Sequence, residues 1–410
     1  MNILLVHQNF PGQFRHVAPE LVRRGHKVIG LGVNKTPDAL PGVQHVLYRP
    51  RSAPNVLGEG ASPSVQELHG KLVRGEGAAR AMAALAEKGF VPDVVFAHSG
   101  WGEAMYVKDL FPKARLLVYA EYYYGTPGGD AGFDPEFSKP DAASRMRARL
   151  KNTHLLHALA SCDAALSPTE FQKSQHPGWA HDRIQVIHDG IETRRFMPST
   201  QAAVTLRGAG VPLRFGDEVL TYVARELEPY RGYHIFMRSL PLLQKLRPQA
   251  RVVIVGGDGV SYGAPAPKGT TWRKHFLDEV RGQLDMKRIH FVGKLPHALL
   301  TQLMQVSAAH VYLTYPFVLS WSLLEAMSIG CAVVGSDTGP LQEVIRDGEN
   351  GFLVPFFEPE TLARKAAEVL DRRNDLAGLR AAARRTVVDG FDLQSHCLPQ
   401  WVRFITGEKP

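Results

Sequence analysis

Short, nearly uninterrupted apolar runs alternate with longer stretches of helical spacing along most of the chain. In the first half the runs are N-I-L-L-V (2–6), K-V-I-G-L (27–31), D-V-V-F-A (93–97) and A-R-L-L-V-Y-A (114–120), and the intervening Phe14–Arg24 and Val65–Lys88 predict helices. Strands that are apolar on both faces and alternate with helices belong to parallel sheets covered on both sides. The pattern starts again near residue 217, with E-V-L-T-Y-V-A (218–224), R-V-V-I-V-G-G (251–257), I-H-F-V-G (289–293), H-V-Y-L-T (310–314) and C-A-V-V-G-S (331–336). From Pro198 to Pro212 neither period holds, and this stretch reads as the connection. The chain therefore predicts an α/β protein of two doubly wound, Rossmann-like domains, residues 1–197 and 198–390. Ligands are expected beyond the carboxyl ends of the strands. The Gly-, Pro- and Asp-rich segment 122–140 predicts a long loop of the kind that is functional or mobile.

A length of 410 residues also exceeds what one ordinary core holds. No apolar run reaches the length of a spanning helix, and the N-terminus reads as a buried strand rather than a leader. Cys162, Cys331 and Cys397 have neither metal-ligand spacing nor an even count, so a reduced, cytoplasmic protein is expected. The formal charge of +8 fits an anionic phosphate ligand or solubility alone. It also fits an anionic membrane surface met peripherally through Arg15, Arg23, Arg24 and Lys27, although these are as readily a solvated face. No nucleic-acid-binding motif accompanies the charge, which makes nucleic acid the weakest reading.

Five segments that follow strands carry candidate chemistry. In H-Q-N-F-P-G-Q-F-R-H (7–16), Gly12 permits a tight turn whose free N–H groups could meet an anion or hydroxyl, or simply join strand to helix. In F-A-H-S-G-W-G-E (96–103), His98 at a strand end is placed to touch a sugar or reacting oxygen, or to cap the next helix. In Y-A-E-Y-Y-Y-G (119–125), Glu121 beside tyrosines suits polyol recognition, and suits an ion pair with an arginine as well. V-A-R-E-L-E-P-Y-R-G (223–232) offers Arg225 and Arg231 as a diphosphate clamp, because Arg forks match phosphate oxygens in pairs. The alternative there is surface salt bridging by Glu226 and Glu228. In Y-P-F-V-L-S-W-S-L-L-E-A (315–326), a loop leads to a helix starting near Leu323, whose free N–H groups would face a phosphate. Glu325 then either holds a ribose diol or is favoured in the first turn by the helix dipole. Asp258 in G-G-D-G reads as a turn residue, and no P-loop, H-E-x-x-H, G-x-S-x-G or kinase-like set is present.

Several of these segments, taken in order, carry a resemblance. They are V-I-H-D-G-I-E-T-R-R-F-M-P (186–198), A-R-E-L-E-P-Y-R-G (224–232), V-G-G-D-G (255–259), L-S-W-S-L-L-E-A-M (319–327) and D-G-E-N-G-F-L-V-P (347–355). Together they resemble the retaining nucleotide-sugar glycosyltransferases of family 4, with the GT-B fold, over essentially the whole chain. The resemblance implies an acceptor-side domain and a nucleotide-sugar donor domain facing across a cleft, with residues 391–410 forming a helix that crosses back to the first. It implies Arg225 and Arg231 on the donor diphosphate and the departing nucleotide. Backbone groups of Leu319, Ser320 and Trp321 would meet the diphosphate or sugar, Glu325 the ribose, and Gly293, Lys294 and Leu295 would flank the base. Gly12 is counted with the donor-binding positions. His98 and Glu121 fall where the family places acceptor-side or sugar-contacting groups, although many members have His where this chain has Glu121.

One departure stands out. The family carries two glutamates eight residues apart, and counting back from Glu325 reaches Phe317, or Tyr315 if the Pro-Phe pair is aligned. The first of these acids usually contacts the donor sugar. The implied reaction is sugar transfer to a hydroxyl acceptor (glycan, lipid-linked or small glycoside) with retention by same-face attack, needing neither an enzymic nucleophile nor a metal. The rival expectations are a GT-B phosphorylase or epimerase using the same clamp, and a catalytically silent nucleotide-binding partner subunit.

Overall fold

A computed structural model describes residues 1–35, 40–51, 57–58, 60–125, 129–138, 141–206 and 212–408. The chain divides into two compact units, Met1–Gly190 with Gln394–Pro410, and Ile191–Leu393. The division falls at Gly190 rather than at residue 197, because the segment after it is tied into the second unit. Ile191 N–H donates to Phe391 O and Ile191 O accepts from Leu393 N–H. The Arg384 guanidinium also donates to the carbonyls of Phe196 and Thr193. The same ladder keeps Phe391 and Leu393 in the second unit, so the returning segment begins at Gln394, not at 391.

The first unit is built on seven parallel strands: β1 (Asn2–Val6), β2 (Lys27–Gly32), β3 (Gln44–Leu47), β4 (Val94–His98), β5 (Arg115–Tyr119), β6 (Ala164–Ser167) and β7 (Ile184–Val186). They lie in the order 3-2-1-4-5-6-7. Alternate residues of β1 feed two cores. Leu4 and Val6 pack with Ala78, Met82 and Leu85 of the helix Pro63–Glu87, while Ile3 and Leu5 pack with Phe14, Leu21 and the terminal helix Leu398–Thr406. That terminal helix is held by Trp401, Phe404 and Ile405 against the sheet, and Trp401 Nε1 donates to His188 O at 3.0 Å.

The second unit opens with a two-stranded antiparallel hairpin, β8 (Ala203–Thr205) and β9 (Pro212–Arg214), inside the stretch read from the sequence as a bare connection. Residues 207–211 of that stretch lie outside the described residues, as do 126–128 and 139–140 of the long loop. Six parallel strands follow: β10 (Val219–Glu226), β11 (Arg251–Gly257), β12 (Ile289–Gly293), β13 (Ala309–Tyr312), β14 (Val333–Ser336) and β15 (Phe352–Val354), in the order 12-11-10-13-14-15. Both sheets thus have their first strand beside their fourth, the position where strand order reverses and ligands collect. The strands missed in the sequence are short or at edges. β3 has no buried residue, β7 has one, and neither shows the apolar run of a central strand.

Candidate functional site

In the second unit the site grows from the ends of β10 and β13. Beyond β10 the chain makes a 3-10 turn over Pro229–Arg231 and enters the helix Tyr233–Leu246 through Gly232 at φ +66°. A Cβ on Gly232 would stand 2.4 Å from Leu313 Cβ, so only glycine allows this approach. The turn brings Arg231 across to β13. Its Nη1 donates to Thr314 Oγ1 at 2.8 Å, Tyr312 Oη at 3.1 Å and Val318 O at 3.3 Å, and the guanidinium lies 5.2 Å from the Tyr262 ring centre. Arg231 is buried at 8 % exposure, and among the described residues no carboxylate lies within 4 Å of it. Neutral oxygens orient this cation, and the buried Glu228 feels its charge without coming within ion-pair distance. Burying a charge that way is expensive unless an anion completes the shell. Arg225, nearby in sequence on β10, is exposed and likewise has no ion-pair partner among the described residues.

The two acids between the arginines do not salt-bridge to them. Glu226 pairs with Lys294 and accepts from Gly259 N–H at 2.8 Å. Burial works against its charge, but Lys294 and that N–H hold its carboxyl below the usual range. Glu228 is buried among the N–H groups of Ser261, Tyr262 and Gly263, and burial pushes its carboxyl up. Both acids therefore shape the loop after β11 and leave the arginines unpaired. Lys294, expected to flank a base, is spent on Glu226. Exposed Gly293 has φ +65°, and Leu295 packs against the core. Asp258 pairs with Arg273 at 2.8 Å.

The helix after β13 runs Trp321–Ile329, two residues earlier than expected, with Ser320 as its cap. Ser320 Oγ accepts from Ser322 N–H, and Ser320's own N–H donates to Tyr312 Oη at 3.1 Å, so that donor is not free for a ligand. Leu319 is a core residue and Trp321 is exposed. Glu325 is the fifth helical residue, beyond the first turn, and the dipole reading lapses. Its carboxylate instead faces His297 Nε2 at 3.3 Å in a recess lined by Phe196, Val223, Leu300 and Met304. Burial pushes its carboxyl up against the opposing pull of His297. Where the family's first acid would fall, Tyr315 and Phe317 are buried in an aromatic cluster with Tyr230, which lies 4.6 Å from Tyr315 and 5.6 Å from Phe317, and with Tyr262, 5.0 Å from Phe317.

In the first unit a polar group assembles at the carboxyl ends of β1, β4 and β5. His98 is buried at 2 % exposure, and its Nε2 stands 3.5 Å from Glu121 Oε2. Gln13 Nε2 donates to Glu121 Oε1 at 3.2 Å, and the His7 ring meets the His98 ring edge-on at 4.9 Å. Burial, then the neighbouring His98, lower His7 to about 3. Gly12 has φ +47°, and a Cβ there would stand 2.6 Å from His7 Nε2, so its glycine makes room for an imidazole. His98 and Glu121, singled out separately in the sequence, thus come together, and His98 also caps the turn that follows by accepting from Gly100 N–H. Tyr312, Thr314, His297, His7 and Gln13 were missed; Tyr312 and Thr314 were visible only as two polar residues in the β13 run. Arg23 and Arg24 both bond Glu20 on their own helix, which reduces the basic face they were thought to offer. Among the described residues no helix is long and apolar enough to cross a membrane.

Comparison with known proteins places both units. The profile described as "Glycosyl transferase family 4 group" matches residues 24–196, and that described as "Glycosyl transferases group 1" matches residues 211–386. A D-inositol 3-phosphate glycosyltransferase of Streptomyces scabiei (strain 87.22) is 26% identical over 207 residues, covering 49% of this chain and 44% of the relative. The chain spans about half the length of the curated relatives it matches. Among solved structures, sucrose-phosphate synthase from Thermosynechococcus elongatus aligns with a TM-score of 0.73 at 16% identity, covering 99% of this chain and 98% of that one. Anabaena Alr3699/HepE in complex with UDP aligns with a TM-score of 0.66 at 16% identity over 100% of both chains. These likenesses establish the GT-B fold.

Proposed function

The chain belongs to the glycosyltransferase family 4 group, and from that premise we propose that it moves a sugar from a nucleoside-diphosphate sugar to an alcohol acceptor with retention at the anomeric carbon. The observation that carries this reading is Arg231, a buried guanidinium aimed by Tyr312, Thr314 and Val318 and lacking an acid partner among the described residues. A diphosphate would complete its shell, with the free Arg225 as a second cation. As the bond to the anomeric carbon breaks, negative charge grows on the leaving phosphate, and oriented cations stabilise that charge more than the ground state. Held this way the leaving group needs no metal, and its own oxygen is positioned to take the acceptor proton on the same face. Glu325 is read as the ribose-holding acid, kept in a shielded recess beside His297.

A second reading, a nucleotide-binding partner without turnover, is favoured by the rings of Tyr315 and Phe317 filling the place of an expected acid. The deciding assay is release of nucleoside diphosphate from UDP-, GDP- and ADP-sugars, with magnesium and with EDTA. EDTA-insensitive release that Arg231→Lys abolishes supports transfer. Tight nucleotide binding without release supports the silent partner.

A further inference from the structure

The polar group of the first unit fixes its own proton positions. His7 Nδ1 accepts from Asn9 N–H at 2.8 Å, so the neutral ring carries its proton on Nε2, on the side of Gln13. With its oxygen turned to that proton, Gln13 presents its amide N–H to Glu121 Oε1 at 3.2 Å. His98 Nδ1 accepts from Gly100 N–H at 3.0 Å, which puts its proton on Nε2, facing Glu121 Oε2 at 3.5 Å. Neither nitrogen of His98 keeps a free lone pair. The backbone beneath is anchored too, since Gln172 Nε2 donates to Glu121 O. The Glu121 side chain is 33% exposed and that of His98 3%, and Gln13 is half-buried.

We propose that Gln13 and His98 clamp Glu121 so that its carboxylate accepts a hydrogen bond from a hydroxyl of a sugar or polyol substrate, with His98 a donor that positions Glu121 and not a base. This rests on the transferase reading only for the identity of the ligand. A carboxylate that takes one hydrogen bond from Gln13 and a longer 3.5 Å contact from His98 Nε2 keeps its remaining lone pairs in one direction, the arrangement a hydroxyl needs. His7 is the outer positioning residue, and Gly12 leaves room for its ring.

Two measurements test it on the full chain. Long-range nitrogen–proton NMR of the imidazoles should show His7 and His98 as Nε2–H tautomers, with the His98 signal moved by Glu121→Gln and by Gln13→Leu. An Nδ1–H His98, or a signal indifferent to both substitutions, overturns the clamp. In nucleotide-sugar turnover, His98→Gln, which retains an N–H donor, should keep most of the activity that His98→Leu loses. Gln13→Leu should lower kcat/KM about tenfold while UDP affinity is unchanged. Equal loss in His98→Gln and His98→Leu contradicts the donor role. Absence of turnover in the wild type counts against the transferase reading, and the NMR result then decides the clamp by itself.

Discussion

The two units use one architecture for opposite electrostatics. Each sets its first strand beside its fourth, follows the first strand with a tight turn through a positive-φ glycine, and gathers polar side chains over that junction. In the first unit the turn at Gly12 clears space for neutral imidazoles around a carboxylate. In the second, the turn at Gly232 delivers a guanidinium to neutral oxygens. The fold supplies the location, and the residue that follows the glycine's constraint supplies the chemistry. On the proposed reading one unit would receive hydroxyls and the other an anion.

The largest effect should come from Arg231→Ala, which removes the oriented cation: nucleotide affinity should fall by roughly 2–4 kcal/mol by titration calorimetry. The same substitution of exposed Arg225 should cost about 1 kcal/mol and lose most of its effect in high salt. The paired glycines come next. Gly12→Ala and Gly232→Ala should each destabilise by about 1–3 kcal/mol in denaturant unfolding, through positive φ and a collision with His7 or Leu313. Each should damage its own site and spare the other, so a substitution at Gly12 that weakened nucleotide binding would break the comparison.

Acid should then distinguish the units. Burial holds His7 and His188 at about 3 and His154 and His176 at about 4, all in the first unit, whereas in the second His310 is held at about 3 and the half-buried His290 is lowered as well. Below the ordinary imidazole value of about 6.5 the unfolded chain binds protons that these folded rings refuse, so stability is lost as pH falls through that window. Proteolysis between pH 7 and 4.5 should release fragments of residues 1–190 before those of 191–393. The smallest effect belongs to Glu325, whose carboxyl is raised by burial and thus holds its proton to higher pH when folded. Stability from this group falls as pH rises from the ordinary carboxyl range, so Glu325→Gln should raise Tm slightly at pH 7, not at pH 4, while weakening nucleotide binding.

What could be read from the chain follows the same physics. Central strands such as β1 and β11 are buried on both faces and announce themselves by composition, matching their apolar runs residue for residue; the edge strand β12 does so as well, through its Ile, Phe and Val. The edge strands β3 and β7 and the β8–β9 hairpin, more open to water, do not. Arg231 could be singled out from the sequence because it follows a strand and precedes a glycine, whereas its burial could not. Its aiming by Tyr312 and Thr314, and the release of both arginines by Glu226 and Glu228 turning elsewhere, are long-range facts that spacing does not encode. The His7–Gln13–Glu121–His98 group is of the same kind, drawn from three strand ends.

The most direct test of the central claim is calorimetric titration of UDP, GDP and ADP, in EDTA, into the wild type and into Arg231→Lys. Lysine keeps the charge but loses the fork that Tyr312, Thr314 and Val318 orient. We predict that one nucleotide binds the wild type without metal and that Arg231→Lys weakens it at least tenfold. Equal affinity in both proteins would contradict the assignment of the buried guanidinium as the diphosphate site.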